Sequence, residues 1–431
     1  MASHYLAAVV GLLVVVATAP LSARADTTRR LLDLLRQRNQ ISEQEYQELK
    51  EEEDERWRVY WDDGLRFGSA SGDYRLRLGG RVENDWAIFV PNDELDDQLA
   101  DSSGTESGTE IRRARIELDG LFYRILEFQT DFDFADGDVA FKDVFLGIRK
   151  VPGVGRIMAG HFKEPFSLEQ MMSGNDLTFM ERATGSNVFA PDRSLGIGVQ
   201  RNFGDRLLWA AGAFRESDDT ATSFGDDSLY QVTSRITGLP WFAEDGRRLL
   251  HLGFAYSHKF RNGDEQRFSQ RPESGLAPRL VDTGDYEIDG MDLINAEMAL
   301  VVGPFSVQSE YFRAFHDMPG EDAQFDAFYA YASYILTGEH RPYANEDGVF
   351  ERPLPDKSVV DGGWGAWEIA ARYSRIDLED DEIDGHELDN VTLGLNWYPE
   401  RHFRVMLNYV YANRDHQGEA HIAQARLHLD W

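Results

Sequence analysis

The chain has 431 residues, 42% of them apolar and 12% aromatic, with 44 Lys+Arg against 76 Asp+Glu and a formal net charge of −32. That balance excludes a general nucleic-acid binder, whose affinity depends on clustered positive charge. Cysteine is absent, which excludes disulfides, thiolate nucleophiles and Cys-based metal sites.

Residues 1–25 read as a signal peptide: an apolar run from Leu6 to Ala19 precedes Ala23-Arg24-Ala25, an A-x-A cleavage site. The run is short for a bilayer span, and the segment before it has His4 but no Lys or Arg. The mature chain is expected to begin at Asp26. No later stretch is apolar and long enough for a transmembrane helix.

Residues 26–60 change to a helical period. Leu31, Leu32, Leu34 and Leu35 lead into "NQISEQEYQELKEEEDER", where Ile41, Tyr46 and Leu49 continue a thin apolar stripe. Ser42 and Glu45 have the spacing of a capping box. A stripe this narrow buries little area alone, so a helix–turn–helix or coiled coil meeting a partner is expected. The bland alternative is a solvated charged linker. Residues 61–73 read as a linker in either case.

From Tyr74 onward alternation replaces the helical period. "YRLRLGGRVENDWAIF" sets Tyr74, Leu76, Leu78, Val82, Trp86 and Ile88 against Arg75, Arg77, Arg81, Glu83 and Asp85. "LEFQTDFDF" sets Leu126, Phe128, Thr130, Phe132 and Phe134 against Glu127, Gln129, Asp131 and Asp133. The segments run to ten residues or more with aromatics near their ends, which fits a transmembrane barrel better than a soluble sandwich. About sixteen of them fit between 74 and 431, an even number in the range of water-filled barrels. Short turns near Tyr123, Pro152, Gly204, Pro304 and Pro399 fall at one end, expected to be periplasmic. Long links 91–109, 164–193, 217–227 and 260–285 fall at the other. The link Thr337–Gly363 is long but lies with the short turns, and alternation alone gives no account of it. The closing "AQARLHLDW" alternates to its last residue, so Trp431 ends a strand that the first strand can pair with.

Several words of the chain go together: "LLDLLRQRNQISEQEYQELK", "GTEIRRARIELDG", "FKEPFSLEQ", "LTFMERATGSNVFAPDRSLGIGVQ", "SYILTGEHRPY" and "GWGAWEIAARYS". In combination and order they resemble the phosphate-selective porins, the porin O/P family, along almost the whole mature length. The resemblance implies an all-β, 16-stranded outer-membrane barrel at 74–431, in most members a homotrimer, with an in-folded third loop. It also implies an anion pathway lined by arginines and a few lysines, and N-terminal helices on the periplasmic side.

Parity names the candidate pore residues independently. Arg75, Arg77, Arg81, Arg113, Arg115 and Arg426 fall on the polar faces of adjoining strands, and Arg235, Arg372 and Arg404 have the same parity farther round. Arginine keeps its charge and presents a fork matched to phosphate oxygens. Lys163, beside His161 at the root of the third loop, is the lysine best placed for a constriction. Against a pure anion pathway stand Glu83, Asp85, Glu117 and Glu127, any of which can pair with these arginines. Asp131 and Asp133 add an acidic row. A general diffusion porin therefore remains open, as does a barrel whose main role is tethering through its N-terminal helices. No nucleophile motif accompanies the histidines, so no enzyme is expected, and no cofactor is implied. "DFDFADGD" and "DLEDDEIDGHELD" lack the EF-hand order and read as solvated loops, the alternative being divalent cations that bridge them to lipopolysaccharide. The expected partners are small anions in transit and outer-membrane lipid.

Overall fold

The structure is a computed structural model that describes residues 22–54, 56–99, 107–135, 137–223, 230–380 and 383–431. The expected signal peptide, residues 1–25, lies mostly outside the described residues. The chain divides into a unit ending at Arg77 and a second unit, Leu78–Trp431.

The first unit contains helices α1 (Ser22–Gln37) and α2 (Glu43–Asp54) and a short hairpin, Trp57–Trp61 with Leu65–Ser69. The capping box forms: Glu45 N donates to Ser42 Oγ at 3.2 Å, and Ser42 N donates back to Glu45 Oε2 at 2.8 Å. The helices meet through Tyr46, whose hydroxyl donates to Asp33 at 2.7 Å, and through Arg36, which pairs with Glu43 at 2.9 Å. Leu32 and Tyr46 are buried there, while Leu31, Leu34 and Leu49 stay exposed. Part of the segment expected as a linker, 61–73, is therefore the second strand of a hairpin.

Sixteen antiparallel strands form the closed barrel. They are β1 (Tyr74–Pro91, whose first residues belong to the first unit), β2 (Gly108–Phe122), β3 (Leu126–Asp133), β4 (Ala140–Val151), β5 (Gly155–Lys163), β6 (Arg193–Phe203), β7 (Leu207–Arg215) and β8 (Tyr230–Ala243). The second half is β9 (Arg248–Gln266), β10 (Tyr286–Val302), β11 (Phe305–Asp317), β12 (Ala323–Ile335), β13 (Ala366–Asp380), β14 (Ile383–Glu400), β15 (Phe403–Arg414) and β16 (Gly418–Asp430). β16 pairs with β1 from Ala420↔Pro91 to Asp430↔Arg81, which closes the sheet and removes its edges. The apolar parity faces outward: Ile88, Leu146, Ile197, Leu252, Leu393 and Leu407 are exposed, as lipid-facing residues of a barrel should be. Among the described residues no helix is long and apolar enough to cross a membrane.

The polar parity faces inward and, among the described residues, is covered by segments that fold into the barrel, a short helix with buried Leu95 and Leu99 (Asp93–Leu99) and three longer ones. Between β5 and β6, Phe166, Leu168, Met172, Leu177, Phe179 and Met180 are all buried. They sit against inward residues of the far wall, as in the Phe179–Tyr331 contact, with ring centroids 5.5 Å apart. Between β9 and β10, Glu273 is buried and accepts from Ser374 and Thr392 on the wall at 2.5 Å each. The third segment is the anomalous link between β12 and β13. It forms a small hairpin, Tyr343–Ala344 with Val349–Phe350, and buries Phe350. Gly348 lies at its turn with φ +66°, and a Cβ there would come within 2.8 Å of Thr237 Oγ1. The length of this link has a physical reason: it is an inward-packed segment and not a turn.

Candidate functional site

Together the in-folded segments fill the lumen beside β8–β16 and leave a cavity of about 380 Å³ against β1–β6. Its wall carries Arg81, Arg113, Arg115, Glu117, Asp131, Asp143 and Arg156; Lys163, Arg182 and Arg193 border it from the root and body of the 164–193 segment. The link after β12 contributes Asp347 and Glu351. The cavity is thus charged on all sides and mixed in sign.

Four of the sequence-derived residues, Arg81, Arg113, Arg115 and Lys163, line this cavity. The three arginines are all paired. Arg81 meets Glu117 at 3.0 Å, Arg113 meets Glu83 at 2.5 Å and Arg115 meets Asp133 at 2.6 Å. Arg81 also donates to Asn175 Oδ1 at 2.6 Å and so touches the in-folded segment.

Four others point inward but lie beneath the in-folded segments instead of on the cavity. Arg235 is buried against Glu297 at 2.8 Å and donates to Gly348 O at 3.0 Å. Arg372 pairs with Glu273 at 2.5 Å and Glu169 at 3.4 Å, and lies 4.4 Å from the Phe179 ring centre. Arg426 holds Asp85 at 2.6 Å and Glu181 at 2.8 Å. Arg404 donates to Leu177 O at 2.7 Å and lies 5.8 Å from the Tyr398 ring centre. Alternation orients a wall residue but says nothing of what covers it. Arg75 and Arg77 belong to the first unit, where Arg75 lines a separate cleft of about 230 Å³ with Arg58 and Tyr60. Arg77 donates to Asp63 O at 3.4 Å.

Lys163 differs from the wall arginines. Its ammonium donates to the backbone carbonyls of Gln170 at 2.7 Å and Met172 at 2.9 Å, and among the described residues no carboxylate lies within ion-pair distance. Arg182 does the same: Nε donates to Glu169 O and Nη2 to Met172 O, each at 2.9 Å. Two basic side chains thus tie one turn of the in-folded segment through its carbonyls.

Arg182 and Arg193 escaped parity reasoning because it orders only strands; Arg182 lies in the loop and Arg193 at the first residue of β6. Arg112 escaped for another reason. Both Arg112 and Arg113 reach inward groups, Glu181 and Glu83, so alternation slips by one residue within β2. Glu181 joins Arg112 at 3.0 Å to Arg426 at 2.8 Å, and these guanidinium groups hold its carboxyl well below the usual range despite burial. At the segment's root, burial pushes the Glu164 carboxyl up to about 7, although Thr233 donates to it at 2.5 Å. In the link after β12, Arg352 forms a fork on Asp430 at 2.8 and 2.6 Å, and its backbone N–H donates to Asp176 at 3.2 Å. The 164–193 segment and the link after β12 therefore brace one another.

Among known proteins, the family profile described as phosphate-selective porin O and P matches residues 78–431. Porin O of Pseudomonas aeruginosa is 26% identical over 396 residues, covering 82% of this chain and 86% of that protein. An uncharacterized protein of Caulobacter vibrioides is 28% identical over 396 residues, covering 86% of this chain and 77% of its own length. The fold is shared with a loop-deletion mutant of OmpT, an outer membrane protein of Vibrio cholerae, at TM-score 0.55 and 12% identity, covering 83% of this chain and 100% of that one. It is also shared with an anion-selective porin from Comamonas acidovorans at TM-score 0.52 and 11% identity, covering 83% and 100%. At such identities these two structures speak to the fold alone.

Proposed function

We propose, for a chain that belongs to the phosphate-selective porin O and P family, a passive outer-membrane channel that favours small anions. The observation that carries this reading is the pair Lys163 and Arg182, bordering the cavity and held by carbonyls instead of carboxylates. An anion entering the cavity loses part of its hydration, and positive potential not cancelled by a directly paired carboxylate offsets that loss in a narrow, low-dielectric site. The wall arginines contribute less, because Glu83, Glu117 and Asp133 already neutralise Arg113, Arg81 and Arg115. That same pairing favours the second reading, a general diffusion porin with little preference. As a channel it needs no catalytic residue and no cofactor.

The finer expectations are part of the proposal. The chain is exported by its signal peptide, assembles as a homotrimer among lipid and lipopolysaccharide, and keeps its N-terminal helices in the periplasm. Exposed Leu31, Leu34 and Leu49 support a coiled-coil or tethering contact there. The test is the reversal potential of single channels in a potassium chloride gradient. Anion selectivity that Lys163→Gln with Arg182→Gln shifts toward cations supports the reading; cation selectivity in the unmodified protein overturns it.

A further inference from the structure

After its luminal hairpin, the link between β12 and β13 continues to the outer face of the barrel. Its turn at residues 359–364 is held rigidly: Gly362 N donates to Val359 O at 3.0 Å, and Ser358 Oγ donates to Asp361 Oδ2 at 2.9 Å. Val359 N donates to Pro399 O at 2.8 Å, which fixes the turn to the neighbouring connection between β14 and β15. Trp367 and Trp397 lie on the outward parity of β13 and β14, stacked with ring centroids 5.5 Å apart. Both indole N–H groups donate to Trp364 O, at 3.2 and 2.9 Å. Trp364 is thereby held on the outer face, where Ile369 and Leu393 are exposed on the same two strands. Val360 is 82% and Trp364 83% exposed, the highest values of any large apolar side chain among the described residues. Lys357 runs beside them, since a Cβ on Gly363 would come within 2.8 Å of its Cγ.

We infer that residues 359–364 form a lipid-binding anchor: Val360 and Trp364 enter the adjoining bilayer leaflet and contact phospholipid acyl chains just below the headgroups. Phospholipid is the occupant because the turn continues the lipid-facing surface of β13 and β14, to which the two indoles bind it. An apolar tip with a cationic side chain beside it is also the order of an interfacial anchor, with tryptophan at headgroup level and ammonium toward phosphate. Strand residues of an aromatic belt meet lipid only where the wall already does, whereas this turn extends the contact beyond the wall. The inference rests on the barrel and not on its ion preference. The link then has two ends of different kind: the hairpin borders the cavity, and the exit turn grips lipid, so the bilayer holds the luminal segment from outside the wall.

Because the chain has no cysteine, one introduced thiol gives one labelled position. Val360→Cys in the full chain carries a nitrobenzoxadiazole fluorophore, and the protein is placed in nanodiscs of phosphatidylethanolamine and phosphatidylglycerol. Leu393→Cys on the outward wall is the lipid reference, and Asp205→Cys on the exposed turn between β6 and β7, at the same end of the barrel, is the water reference. Phosphatidylcholine bearing a nitroxide high on its acyl chain should remove most of the fluorescence at position 360, as at 393, while iodide removes little. At position 205 the order should be reversed. Iodide quenching at 360 equal to that at 205 overturns the inference, because the turn then stands in water. Protection from both quenchers also overturns it, because a protein surface, such as a second copy of the chain, then covers the turn. Should Val360→Cys fail to give a heat-modifiable barrel, Trp364→Cys with the same label supplies the same two readings.

Discussion

Gly80 and Trp431 exchange both backbone hydrogen bonds: Trp431 N donates to Gly80 O at 2.9 Å and Gly80 N to Trp431 O at 3.0 Å. The last residue of the chain thus completes the ladder that closes the barrel. A Cβ on Gly80 would lie 2.5 Å from Arg115 O and 2.6 Å from the Trp431 ring. Only glycine lets β2 and the terminal indole approach together. Gly80→Val is expected to lower refolding yield into detergent and to cost on the order of 1–3 kcal/mol from overpacking. A heat-modified gel shift at the temperature of the unmodified protein would show that the closure has slack.

Glu181 fastens the in-folded 164–193 segment to two wall strands, through Arg112 and Arg426. Replacing it with glutamine leaves Arg112 without its carboxylate while Arg426 keeps Asp85 at 2.6 Å, so the cost should fall below the about 3–5 kcal/mol of breaking a fully buried pair. The barrel's own ladder is untouched, so the effect should fall on the segment. Glu181→Gln should give noisier single-channel currents with little change in barrel melting. The sign of the pH effect follows from the depressed carboxyl: its stabilisation is present above the ordinary carboxylate range and is lost as pH falls through the lowered value. Acidifying well below pH 4 should make the unmodified channel resemble the variant.

Glu164 predicts the opposite dependence at the same segment's root. Its carboxyl is pushed up to about 7, so the folded protein prefers it protonated. That contribution is complete below the ordinary carboxylate value near 4.5 and is lost as pH rises through about 7, at roughly 1.4 kcal/mol for each unit between the two. Glu164→Gln mimics the protonated state. Its thermal midpoint should be flat between pH 5 and 8, where that of the unmodified protein declines. Parallel declines in both proteins would assign the dependence elsewhere.

The barrel was legible because the bilayer imposes a two-residue period on every strand, and the exposed Leu427 and Leu429 beside buried Arg426 and His428 obey it. Inward orientation was equally legible for Arg235, Arg372, Arg404 and Arg426, yet all four are covered. Whether an inward arginine reaches the cavity depends on which loop folds over it, and loops carry no period. Charge pairing was legible in kind but not in detail. Glu83, Asp85 and Glu117 do neutralise arginines, but Arg113 finds Glu83 and Arg426 finds Asp85 only through cross-strand register. Arg112 was hidden by the slip in β2, which reverses parity at one residue without any glycine or proline to mark it.

The link between β12 and β13 yields the sharpest prediction about the lumen, because its length was the feature that alternation could not place. It borders the cavity with Ala344, Asp347, Val349 and Glu351. Its attachments are specific: Arg341 donates to Gln308 at 2.8 Å, and the Tyr343 hydroxyl lies 2.8 Å from His251 Nδ1. Arg235 and His251 would both keep Glu297, at 2.8 and 3.0 Å, if the small hairpin were absent. Replacing residues 343–350 with a short Gly-Ser turn should therefore leave the barrel folded while removing one boundary of the cavity. Single-channel conductance should rise and discrimination among anions should weaken together, since both depend on the same narrow space. Removing Asp347 also takes one acidic group from the border, so reversal in a salt gradient should move slightly toward anions even as specificity falls. Unchanged conductance in a correctly folded variant would mean that ions travel along a path this link does not bound.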